Sequence, residues 1–128
     1  MAEWQKISDR FNLLEEYYKK PERWAFTFQI NAILSRMKEL GRLFELMEKE
    51  KDPRKVFFSE RSIVADREIF AKLLHQEGKM NSMEHALYLS MYNSLDNLFK
   101  TPRVHRFIYL RSSPEKCMER MLKRARHE

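Results

Sequence analysis

The sequence predicts one α/β domain, largely helical, built around a parallel sheet of which two strands lie within the chain. Three observations carry that reading. Two short runs, residues 55–59 (Lys-Val-Phe-Phe-Ser) and residues 104–110 (Val-His-Arg-Phe-Ile-Tyr-Leu), are rich in β-branched and aromatic residues. The stretch between them has helical periodicity and the length of the crossover that parallel strands require. The first run also ends directly on Glu60-Arg61, and α/β proteins place their ligands at the carboxyl ends of such strands.

Each element follows from local signals. A first helix is expected over residues 7–18. Pro21 suits the first turn of a long second helix to about Lys49, because its missing N–H costs nothing there. Trp24, Phe28, Ile33, Met37, Leu40, Phe44 and Met47 recur along it near helical spacing. Lys51-Asp52-Pro53 ends it, and the strand 55–59 follows. A helix over residues 63–76 stops near Gly78. Another runs from Ser82 to Phe99, with Ser82 or Asn81 as its N-cap. The second strand, 104–110, leads to a basic helix that starts at Pro114 and continues to the end.

Composition excludes several classes. Hydrophobic residues make up 43% and charged residues 34%, the balance of a folded globular chain rather than a disordered one. No apolar run is long enough to span a bilayer, so no membrane partner is expected. The start, Met1-Ala2-Glu3-Trp4-Gln5-Lys6, has neither a secretory apolar region nor an Arg/Ser-rich presequence. The single cysteine, Cys117, rules out an internal disulfide and is expected to be a half-buried helical residue. Four scattered histidines (His75, His85, His105, His127) have no partners at zinc-ligand spacing.

Charge is unevenly spread. Residues 1–99 are neutral, with 16 basic and 16 acidic side chains, whereas residues 100–128 carry nine basic and three acidic ones. The whole surplus of +6 therefore sits in the last segment and calls for a polyanion such as a nucleotide polyphosphate.

Two constellations carry chemistry. Gln29 and Arg36, seven residues apart, project from nearly the same side of the long helix, with Ala32 and Ile33 between them. An amide and a guanidinium on an otherwise apolar face suit the edge of a nucleobase, because Gln donates and accepts at once. A solvated border stripe is the alternative reading of the same spacing. Arg120 and Arg124, four apart on one helical face, converge on a polyphosphate or else form a solvated basic face.

Five stretches in register resemble the deoxynucleoside kinases, particularly the deoxycytidine and deoxyguanosine kinases. They are Tyr18-Lys19-Lys20-Pro21-Glu22-Arg23-Trp24-Ala25-Phe26-Thr27-Phe28-Gln29 with Leu34-Ser35-Arg36, then Glu60-Arg61-Ser62 with Asp66-Arg67, then Ile108-Tyr109-Leu110-Arg111. Pro114-Glu115-Lys116-Cys117 and the arginine-rich stretch Arg120 to Arg126 complete them. The resemblance implies a P-loop kinase-like sheet and phosphoryl transfer from ATP, or another nucleoside triphosphate, to the 5′-hydroxyl of a deoxynucleoside. It implies that Gln29 pairs with the base, that Phe28 and Phe70 stack on it, and that Arg36 and Asp66 form an ion pair at its edge. Tyr18 would contact the sugar 3′-hydroxyl and Trp4 would line the sugar end. Arg61 would hold the 5′-oxygen and incoming phosphate, and Glu60 would help place Mg²⁺. Arg120, Arg124 and Arg126 would close on the phosphates as a lid. A homodimer is implied, for which Met37, Met47, Met83 and Met91 offer helix faces, and the compartment expected is the cytoplasm.

The resemblance covers only the middle of such an enzyme. Glycine occurs only at 41 and 78, so the 128 residues contain no G-x-x-x-x-G-K-[ST] loop. The family's general-base glutamate belongs a few residues ahead of the tryptophan matched by Trp4, outside this stretch. Residues 1–128 are thus read as one partial kinase domain that does not phosphorylate by itself. A non-catalytic relative that binds nucleosides or dimerises is the alternative, and retained affinity without turnover would identify it. A basic helical nucleic-acid binder is the weaker rival, since the arginines of residues 100–128 are not interleaved with aromatic residues in any known reading motif.

Overall fold

The computed structural model describes residues 11–60, 62–99 and 104–124. Its elements are α1 (Leu13–Lys19), α2 (Pro21–Lys49), α3 (Ile63–Ala65), a π-helical segment (Asp66–Ala71), α4 (Lys72–Gln76), α5 (Ser82–Phe99) and α6 (Pro114–Arg124).

No strand forms among the described residues, and the predicted parallel sheet is not there. Both apolar runs are irregular and open to solvent, Phe58 at 74% exposure and Leu110 at 87%. The reason is that a strand is not a local structure: its N–H and C=O groups need a ladder partner, and neither run has one among the described residues. The α/β assignment is therefore corrected to an all-helical architecture over the described residues.

The later helices follow their predicted ends, but the first begins at Leu13 and not at residue 7, with Phe11 and Asn12 outside it. Pro21 opens α2, and Lys49 is its last residue. Asn12 caps α1 by accepting from the Glu15 N–H at 3.2 Å, while residues 7–10 lie outside the described part. Asn81, rather than Ser82, caps α5. Its Oδ1 accepts from the Glu84 N–H, and Glu84 Oε2 accepts from the Asn81 N–H, both at 2.9 Å, a reciprocal capping box. Gly78 reverses the chain between α4 and α5 at φ 72°, a left-handed conformation that favours glycine.

The core is one helical layer interface. α2 buries Ala25, Gln29, Ala32, Ile33 and Met37, a stripe with 3.6-residue periodicity. It packs on Tyr88 and Tyr92 of α5 and on Ile63, Ala71, Leu74 and Met80. Met37 is fully buried and so belongs to this core, not to a dimer face; Met83 is 81% exposed. α6 buries none of its residues, and Cys117 on it is exposed rather than half-buried.

Candidate functional site

The site begins at the turn after residue 60. Ser62 accepts from the Ala65 N–H at 3.2 Å and starts a helix directly after the Glu60-Arg61 corner. Three residues on, the helix widens into the π-helical segment, where the Lys72 N–H reaches the Arg67 carbonyl five residues back. Such widened turns recur at functional sites because they re-aim side chains out of the α-helical register. Here the widened turn carries Asp66, which is only 3% exposed, towards α2.

Arg36 meets it. Its Nε donates to Asp66 Oδ2 at 2.5 Å, and its Nη1 donates to the Glu60 carbonyl at 3.3 Å. One guanidinium thus ties the middle of α2 to both ends of the Glu60–Asp66 stretch. Two turns earlier on the same side lies Gln29, 5% exposed, whose Oε1 has no hydrogen-bond partner among the described residues. A buried amide oxygen left unmatched costs on the order of 1–3 kcal/mol.

The wall behind the ion pair comes from α5. Tyr88 is fully buried and its hydroxyl also lacks a partner among the described residues. Burial, and then the negative charge of Asp66, push its phenol well above the ordinary tyrosine value. One turn on, the Arg67 guanidinium lies 4.6 Å above the Tyr92 ring while its Nε donates to Glu68 at 2.7 Å. Neither tyrosine was singled out from the sequence. Their four-residue spacing on a helix of mixed polarity was the available signal.

The remaining predicted residues are placed unevenly. Phe28 is half-buried, with its ring stacked on Tyr17 at 4.7 Å and 15° between planes. Phe70 follows Asp66 by one π-helical turn and is 36% exposed. Tyr18 is exposed at the end of α1, Glu60 is exposed, and Arg120 and Arg124 are exposed on α6. Trp4, Arg61 and Arg126 lie outside the described residues. The structure therefore joins Arg36, Asp66 and the Glu60 backbone, and leaves Gln29 two turns away on the same side of α2. No group of three His, Cys, Asp or Glu side chains poised for a metal ion occurs among the described residues.

Residues 1–128 match the family model described as "Deoxynucleoside kinase" from end to end. The chain belongs to the deoxynucleoside kinase family. It is 43% identical over 119 residues to the deoxycytidine kinase of Bos taurus, a match covering 91% of this chain and 45% of that protein. To deoxycytidine kinase 2 of Gallus gallus it is 42% identical, over 91% of this chain and 44% of the relative. To the mitochondrial deoxyguanosine kinase of Xenopus laevis it is 40% identical, with the same two coverages. This deoxynucleoside kinase chain thus spans a little under half the length of the curated relatives it matches. No helix among its described residues is long and apolar enough to cross a membrane.

Proposed function

We propose that the chain is the nucleoside-binding part of a kinase that transfers a phosphoryl group from ATP, or another nucleoside triphosphate, to the 5′-hydroxyl of deoxycytidine or a purine deoxynucleoside. The observation that carries this reading is Gln29, a buried amide with an unmatched acceptor, on the same helix side as the Arg36–Asp66 pair. Seven residues rise about 10 Å along a helix, a span that long polar side chains close from both ends around one planar heterocycle. Gln29 Oε1 accepts from a base N–H, and its amide nitrogen donates to the neighbouring ring atom. That pattern alone fits thymine as well as cytosine or a purine. The ionised Asp66 discriminates, because a carboxylate only accepts hydrogen bonds. It suits an exocyclic amino group and repels the carbonyl that thymine presents in its place.

The phosphate end is assigned by the same reading. Arg61 holds the 5′-oxygen, and Arg120, Arg124 and Arg126 present forked donors to phosphate oxygens. The exposed Glu60 carboxylate is a hard oxygen donor of the kind Mg²⁺ takes beside phosphates, so the residue fits the ion. When bound, the metal and the triphosphate supply the transferable group and neutralise its charge. Trp4, Tyr18, Phe28 and Phe70 complete the sugar and base walls. We also propose a homodimer that uses Met83 with the half-buried Met47 and Met91, a cytoplasmic site of action, and no nucleic-acid partner.

The test is transfer of labelled γ-phosphate to deoxycytidine and deoxyadenosine by this chain joined to the upstream portion of a relative such as the bovine deoxycytidine kinase. Turnover that disappears with Arg61→Ala supports the reading. A folded joined protein that binds these nucleosides but never phosphorylates them would favour the non-catalytic alternative.

A further inference from the structure

Outside the Gln29–Asp66 region, the π-helical segment, α4 and α5 line an open groove of about 520 Å³ that includes His75 and His85. The two imidazoles lie face to face. The His75 and His85 rings are 4.4 Å apart between centroids and within 5° of parallel. They sit on either side of the reversal at Gly78, His75 in the last turn of α4 and His85 in the first turn of α5.

One backbone contact fixes the His75 ring. His75 Nδ1 lies 2.9 Å from the Met80 carbonyl, which can only accept, so this nitrogen carries a proton whether the ring is neutral or charged. Any further proton must go to His75 Nε2 or to His85. Either choice places charge against a ring 4.4 Å away, and charging both sets two cations face to face.

The neighbours do not relieve that repulsion. Glu68, the one carboxylate lining the groove among the described residues, is engaged by Arg67 at 2.7 Å. Lys72 adds a cation from α4, while Gln76, Leu89 and Asn93 bring no charge. His85 also stands at the positive end of the α5 dipole, which disfavours a cation there. Burial, and then the charge of His75, hold His85 below the ordinary histidine range.

We propose that the stacked His75–His85 pair is a proton-operated clasp that holds α5 against α4 when neutral and loosens it on acidification. The clasp reaches the candidate site through α5 itself. Tyr88 and Tyr92 follow His85 by three and seven residues on the same helix side, the first buried close enough to Asp66 to feel its charge and the second beneath Arg67. Loosening the start of α5 therefore loosens the wall behind the Arg36–Asp66 pair. The direction follows from linkage. The unfolded chain takes up the His85 proton more readily than the folded one, so stability rises with pH through this window. The contribution is complete above the ordinary histidine value and is lost as pH falls towards the lower folded midpoint.

The experiment is an imidazole-resolved NMR titration of the protein between about pH 8 and about pH 5, with thermal midpoints at both ends. It compares the native chain with His85→Phe and His75→Phe, each of which keeps a ring in the stack. In the native chain His85 is expected to titrate below the ordinary range, and the Tyr88 and Tyr92 amides to shift with the same midpoint. His75→Phe should move the His85 midpoint upward, and His85→Phe should shrink the acid-side fall in thermal midpoint. If either variant fails to fold, the native titration decides alone. A His85 midpoint in the ordinary range with unmoved tyrosine amides overturns the clasp, as does an acid-side fall that is unchanged in His85→Phe.

Discussion

Arg36 Nε lies 2.5 Å from Asp66 Oδ2, joining two residues thirty positions apart across the α2 packing face. Their side chains are 15% and 4% exposed, so the pair is largely withdrawn from water. Removing one partner from such a pair strands the other charge, and that loss exceeds what the intact pair contributes. Asp66→Ala is expected to lower unfolding free energy by about 3 kcal/mol, at the small end of the range because Arg36 keeps some solvent. Adding Arg36→Met should recover part of the loss. Urea denaturation of the four proteins measures both, and a strictly additive pair would mean that the ion pair is not formed.

The same double change should alter base choice. With the carboxylate and guanidinium both gone, thymine no longer meets a like-dipole clash at its carbonyl. Asp66→Ala with Arg36→Met is expected to shift preference from deoxycytidine towards thymidine in competition binding. Thymidine bound as well as deoxycytidine by the unmutated protein would remove the basis for this expectation.

Tyr88→Phe removes a buried hydroxyl that has no partner among the described residues. An unmatched buried polar atom is a cost, so the substitution should be neutral or stabilising by up to about 1 kcal/mol. Tyr88→Ala, by contrast, empties the core and should cost about 3–5 kcal/mol. Chemical denaturation tells them apart; a large loss from Phe would show that the hydroxyl is bonded.

Gly78 has φ 72° and open space where a Cβ would go, with no atom within 4 Å. The cost of Gly78→Ala is therefore conformational strain without a clash, roughly 1 kcal/mol. A matching fall in the denaturation midpoint is expected, and no change would mean that the turn relaxes.

Arg124 stands exposed near the end of α6. In the joined, phosphorylating protein, Arg124→Ala should lower turnover by roughly 10²–10³-fold, the usual loss for a donor that acts on transition-state charge. An effect on nucleoside affinity alone would assign the residue to a solvated face.

Helix boundaries were legible because their causes are local. Pro21 fixes the start of α2, and Asn81 with Glu84 satisfies the first N–H groups of α5 within four residues. The strands were not legible in the same sense. Residues 55–59 and 104–110 have strand composition, but a ladder is made between segments, and these runs find no partner among the described residues. The pairing of Asp66 with Arg36 was expected through resemblance, yet the π-helical turn that carries Asp66 has no sequence signature. The His75–His85 stack was invisible because the two rings lie ten positions apart in sequence and only the reversal at the left-handed Gly78 brings them together.

Whether Gln29 reads the base is decided by calorimetric binding of deoxycytidine to the native chain and to Gln29→Leu. Leucine keeps the volume on the α2 face and removes the unmatched oxygen, so fold stability should hold or rise slightly. Saturable binding by the native chain is expected, with at least about tenfold weaker binding by the variant, the equivalent of one lost hydrogen bond in a desolvated site. Equal affinity of the two folded proteins for deoxycytidine, or no binding by the native chain, would contradict it.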